Sequence, residues 1–83
     1  MKKYLTILWE GDALEWDTFE EALKDAQESV LSPGWGVYSD MCVEAGETPC
    51  IIMICHDYNV ENPNWEYYAS VDENGDLDRY VPQ

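Results

Sequence analysis

The run Cys50-Ile51-Ile52-Met53-Ile54-Cys55 constrains the fold more than any other segment. It is continuously apolar and rich in β-branched side chains, which places it at the centre of a sheet with both faces covered. It is also far too short to span a membrane. His56 and Asp57 mark its wet end. A chain of 83 residues fits one domain and buries about 60 to 65% of its unfolded surface, enough for one sheet and one helix.

Residues 3–9 read as a strand with Leu5, Ile7 and Trp9 on one face and Tyr4, Thr6 and Leu8 on the other. Both faces are apolar, so this too is an inner strand. Glu10-Gly11-Asp12 reverses the chain and residues 13–16 return as a short strand. Thr18-Phe19-Glu20-Glu21 is a capping box, in which the Thr18 hydroxyl meets the Glu21 amide and the Glu21 carboxylate reaches back. The helix it opens carries Phe19, Ala22, Leu23, Ala26 and Val30 as one apolar stripe and stops at Ser32-Pro33-Gly34. Residues 37–44 are strand-like with imperfect alternation, Ala45-Gly46-Glu47-Thr48 is a turn, and residues 59–64 form a loop.

Residues 65–81 form a hairpin. A three-residue loop Glu73-Asn74-Gly75, with Gly75 left-handed, pairs Val71 with Leu77 and Tyr67 with Val81. That register gathers Tyr67, Ala69, Val71, Leu77 and Val81 on an apolar face. It puts Tyr68, Ser70, Asp72, Asp76, Asp78 and Tyr80 on an acidic, tyrosine-rich face. The expected architecture is a single α+β domain over residues 1–83, an antiparallel sheet of four to five strands with one helix packed on one face. One helix leaves the other apolar face to be closed by the Trp-bearing loops or by a second copy, so a homodimer is an expectation.

Composition narrows the function. Eighteen acidic against four basic residues give a formal net charge of −14, yet 46% of the chain is hydrophobic, unlike a disordered acidic tail. Such charge disfavours direct binding to nucleic acid or to an anionic membrane. Three cysteines without framework spacing fit a reducing cytoplasm. The apolar stretch from Tyr4 to Trp9 is too short for a signal peptide. Cys50, Cys55 and His56, with Cys42 nearby in sequence, invite a zinc or thiol reading. Neighbouring strand residues face opposite ways, however, and the spacing matches no zinc site. The turn from Asp72 to Asp78 alternates oxygen donors like a calcium loop, but its Gly75 is fourth where an EF-hand needs glycine sixth, which leaves at most millimolar calcium affinity. No acid pair has a His or Lys placed to tune it. No catalytic, metal or cofactor site is expected.

The acids on the helix are more regular. Asp17, Glu21, Asp25 and Glu28 form a stripe with Glu20 beside it, and only Lys24 intervenes. Carboxylates four residues apart repel, and Asp25 and Glu28 gain nothing from the helix dipole. Two uses of the charge are open: a solvated face on a very soluble domain, or rows of carboxylates standing in for phosphates in a basic groove. Tyr68, Tyr80, Trp35 or Trp65 beside acids would supply aromatic anchors.

The small size, the acidity and the opening Thr18-Phe19-Glu20-Glu21-Ala22-Leu23 after a short hairpin resemble small phage-encoded inhibitors, the anti-CRISPR and DNA-mimic anti-restriction proteins. The resemblance implies a stoichiometric, non-enzymatic inhibitor acting in the host cytoplasm. Its partner would be a basic protein such as a host nuclease or CRISPR effector. The contact regions expected from the acid pattern are the helix face (Asp17, Glu20, Glu21, Asp25, Glu28) and then the hairpin face (Tyr68, Asp72, Asp76, Asp78, Tyr80). The rival expectation is an accessory domain that dimerises through the open sheet face, with acidity serving solubility.

Overall fold

The computed structural model describes residues 1–33, 36–59 and 61–80. Strands β1 (Lys3–Leu8), β2 (Ala13–Trp16), β3 (Cys50–Cys55), β4 (Glu66–Val71) and β5 (Leu77–Tyr80) form one antiparallel sheet in the order β2-β1-β3-β4-β5. The apolar run is therefore the central strand, as its composition demands, and β2 and β5 are the edges. Helix α1 (Phe19–Val30) packs on one face, giving the α+β arrangement.

The register explains which residues make the core. Tyr4, Thr6 and Leu8 lie opposite Ile54, Ile52 and Cys50, and all face α1. Ala22 and Ala26 are fully buried against them; side chains this small let the helix lie close to the sheet. Ile52 and Ile54 are shut off from solvent, each contributing about 1.5–3 kcal/mol relative to exposure. Thr18 caps α1 by accepting the Glu21 amide at 3.2 Å. The second half of the box differs from expectation. The Thr18 hydroxyl itself donates to the Glu21 carboxylate at 3.0 Å.

Residues 37–44 are helical, not a strand. Helix α2 (Gly36–Ala45) ends in a left-handed Gly46, with φ +71°. The Gly46 amide bonds the Val43 carbonyl at 3.1 Å and the Glu47 amide bonds the Cys42 carbonyl at 3.0 Å. These are the two bonds of a Schellman C-cap. Gly46, expected in a turn between strands, is thus a helix stop.

Both hairpins use the same three-residue loop. In Trp9-Glu10-Gly11 and Glu73-Asn74-Gly75 the glycine has positive φ, +112° and +80°, and the flanking residues close the loop through Leu8 N–H to Asp12 and Asp72 N–H to Asp76. The first turn thus begins one residue earlier than expected. Val71 pairs with Leu77 as expected, but the register then shifts, and Ser70 lies opposite Arg79 and Ala69 opposite Tyr80. A second shift falls between β3 and β4, where Met53 faces Tyr67 and Ile52 faces Ala69. Each bulge inserts one residue, Asp78 and Tyr68, and re-aims the side chains beyond it. The expected face assignment therefore fails for Tyr68 and Tyr80. Both turn toward α1 and join Tyr4 and Phe19 in an aromatic cluster with ring centroids 5.1–6.0 Å apart. Val81, expected opposite Tyr67, lies outside the described residues.

The face away from α1 carries Leu5, Ile7, Ile51 and Met53, all half-buried. Tyr58, from the loop after β3, closes one corner. Its hydroxyl donates to Glu15 at 2.8 Å, its ring lies 5.7 Å from the Lys3 ammonium, and Trp65 packs beside it.

Candidate functional site

Sixteen of the eighteen carboxylates are exposed; Asp25 and Asp72 are half-buried. Asp72 serves its own turn, its carboxylate accepting the Asn74 and Asp76 amides at 2.9 and 3.0 Å. This explains an acid at that position in structural terms. Among the described residues no three Cys, His, Asp or Glu side chains converge as metal ligands.

The two expected contact regions lie on opposite sides of the molecule. Ala22 and Ala26 fix the face of α1 that meets the sheet, and at about 100° per residue Glu21, Asp25 and Glu28 fall on the flank toward β2. The opposite flank reaches the β4–β5 turn. There the Gln27 side-chain amide donates to the Gly75 carbonyl at 2.9 Å. Of the helix acids only Glu20 leans that way, beside Tyr4 and Tyr68, where burial first and then its charge raise the Tyr4 pKa. Asp72, Asp76 and Asp78 are therefore separated from the Glu21–Glu28 flank by the helix itself.

The β2 side gathers the denser set. Glu10 lies in the first turn and Asp12 closes it, Glu15 on β2 is on the face away from α1 with Tyr58, Asp17 follows β2, and Glu21, Asp25 and Glu28 line the helix flank. Two cations sit among them. Lys3 pairs with Asp17, which raises its pKa through their hydrogen bond, and Lys24 lies 4.0 Å from Glu28. Exposed pairs of this kind contribute little, so the surface stays strongly negative.

Between β2 and α1 lies a cleft of about 300 Å³ lined by Trp16, Glu21, Lys24, Asp25 and Glu28. Its floor is a hydrogen-bonded relay. The Trp16 indole N–H donates to the Thr6 hydroxyl at 3.2 Å, and that hydroxyl donates to Asp25 at 2.8 Å. Asp25 is thus held in place and only partly free to meet a partner. Thr6 is the residue the sequence reading missed. A threonine on the apolar side of an inner strand was its only signal, with its partner 19 positions away.

The tyrosine anchors change. Tyr68 is only 9% exposed and hydrogen-bonded through its hydroxyl to Tyr80 at 2.9 Å, so it belongs to the core and not to a contact surface. Tyr80 keeps an exposed edge at 44%. Trp65 is half-buried, and Trp35 lies outside the described residues. The cysteines are apolar packing: Cys42, Cys50 and Cys55 are all buried, and burial first, then Asp25, pushes the Cys50 thiol up to about 12. His56 lies 3.6 Å from Glu66 in an exposed pair.

No helix among the described residues is long and apolar enough to cross a membrane. No protein-family model matches the sequence, and comparisons with curated proteins and with solved structures find no match.

Proposed function

We propose that this chain is a non-enzymatic, cytoplasmic interaction protein that occupies the basic surface of a nucleic-acid-binding protein. It would act as a stoichiometric inhibitor in the manner of phage anti-CRISPR or anti-restriction proteins. The observation that carries the reading is the acidic flank of α1 beside β2, where Glu21, Asp25 and Glu28 line one cleft with Trp16 and the lysine among them, Lys24, lies 4.0 Å from Glu28. A row of carboxylates at helical spacing offers a basic groove the charge it would take from phosphates, and complementary charge gives such interfaces speed and register.

The test is competition. A partner captured on the immobilised chain and released by a salt gradient should be a basic nucleic-acid-binding protein. Its DNA or RNA binding should be lost at one equivalent of the chain and restored by Glu21→Lys with Glu28→Lys. Nucleic-acid binding that persists under saturating chain defeats the proposal. A second reading draws on the half-buried Leu5, Ile7, Ile51 and Met53: an accessory domain dimerising through that face, its acidity serving solubility. A monomer by light scattering at micromolar concentration removes it.

A further inference from the structure

The free edge of β2 shows which backbone groups a partner could use. The Leu8 N–H donates to the Asp12 carbonyl at 2.8 Å, which makes Leu8 and Asp12 a hydrogen-bonded pair of the β1–β2 ladder. Hydrogen-bonded and non-bonded pairs alternate along an antiparallel ladder. Leu14, opposite Thr6, and Trp16, opposite Tyr4, therefore bond to β1. Ala13 and Glu15, opposite Ile7 and Leu5, turn their N–H and C=O groups outward. Among the described residues nothing pairs with them, because β2 ends the sheet. A strand edge left open is a template for another chain unless charge or shape blocks it.

Here the charge selects. Leu14 is 56% exposed on the α1 side of this edge, next to the cleft whose lining sets three carboxylates, Glu21, Asp25 and Glu28, against the single cation Lys24 around the Trp16 ring. An incoming side chain opposite Leu14 or Trp16 points into that cleft. One with an aliphatic stem and a cationic head would cover Leu14, lie against the indole and reach the carboxylates. A side chain opposite Ala13 or Glu15 would emerge on the other face, beside the half-buried Leu5 and Ile7. The opposite edge, β5, carries Arg79, a cation that would repel a basic segment.

We infer that β2 receives an extended basic segment of the partner by antiparallel strand addition, with arginine or lysine at alternate positions seated in the cleft between β2 and α1. This rests on the charge reading above and adds a mode and a sequence pattern to it. The partner's segment should alternate cationic with apolar residues, the cationic ones opposite Leu14 and Trp16. Its main-chain bonds should run from the apolar positions to Ala13 and Glu15.

The test uses the full chain and three fluorescent, capped peptides in which arginine alternates with valine: unmodified, N-methylated at every valine, and N-methylated at every arginine. All three carry the same charge. In antiparallel addition the valine amides face β2 and the arginine amides face solvent. By fluorescence anisotropy at low salt, valine methylation should weaken binding at least about tenfold, and arginine methylation should change it by less than about threefold. In amide spectra the unmodified peptide should shift the Ala13 and Glu15 signals and the Trp16 indole. Equal affinity of all three peptides, or the reverse order, overturns antiparallel strand addition and leaves the charge reading intact. If no peptide binds while the captured basic partner still does, strand addition alone is lost. If neither binds, both fall.

Discussion

The relay beneath the cleft gives the most direct energetic prediction. Thr6→Val keeps the shape of the side chain and removes its hydroxyl, which is 2.8 Å from the Asp25 carboxylate and 3.2 Å from the Trp16 indole nitrogen in a residue only 2% exposed. A hydrogen bond to a charged group contributes about 1.5–3 kcal/mol, and the stranded indole N–H adds to the loss. Asp25 and Trp16 are half-buried, so water entering the cleft recovers part of it. The net cost is about 1–2 kcal/mol, and at about 4–8 °C per kcal/mol for a domain of this size, Tm should fall by about 5–15 °C. Urea and thermal unfolding of Thr6→Val, Asp25→Ala and the double variant measure it. The double-mutant cycle should show a coupling of about 1 kcal/mol, since both single changes break one bond. A Thr6→Val protein within about 0.3 kcal/mol of the parent, or strict additivity in the cycle, refutes the relay.

Gly75→Ala meets two penalties, a left-handed φ of +80° and a Cβ placed 2.8 Å from Leu31 Cδ1. Leu31 is exposed and can rotate away, so the backbone term dominates and urea unfolding should show a loss of about 1 kcal/mol. No loss would mean the turn is not held in that conformation. The Cys50 thiol, pushed up to about 12 by burial and then by Asp25, should resist iodoacetamide at pH 8 in the folded protein and react after unfolding. Equal rates in both states would contradict its burial. Tyr68 is raised to about 12, first by its hydrogen bond with Tyr80 and then by burial. A phenol with a folded pKa above its unfolded value contributes fully below about pH 10 and loses that contribution between about pH 10 and 12. Tyr80→Phe should therefore move one phenolate transition downward in an absorbance titration and flatten the fall of stability over that window. An unchanged titration would show that the two hydroxyls do not meet.

Much of this fold is legible wherever one local signal acts alone. The central β3, the capped α1 with its Ala22-Ala26-Val30 stripe and the left-handed Gly75 each follow from residues adjacent in sequence. Where two structures share a signal, the reading fails. Gly46 suits a strand turn and a helix stop equally, since both need positive φ, and residues 37–44 lack a period strong enough to decide. The bulges at Tyr68 and Asp78 are invisible for a different reason. One inserted residue reverses every later side chain without altering composition, so Tyr68 and Tyr80 move from an expected acidic face into the aromatic cluster. In the candidate site, the positions of Glu21, Asp25 and Glu28 on one helix flank follow from spacing. Their separation from the hairpin acids and the anchoring of Asp25 by Thr6 depend on strand order, which no local pattern encodes.

The central claim is that the acids beside β2, rather than the total charge, bind a basic partner. Its most direct measurement is the association rate of the captured partner at low and high salt for the parent and two variants of matched charge change, Glu21→Lys with Glu28→Lys and Glu73→Lys with Asp76→Lys. The account predicts fast binding by the parent that slows steeply with salt, near-complete loss in the helix pair and little change in the turn pair. Equal losses in the two variants, or a rate indifferent to salt, would contradict it.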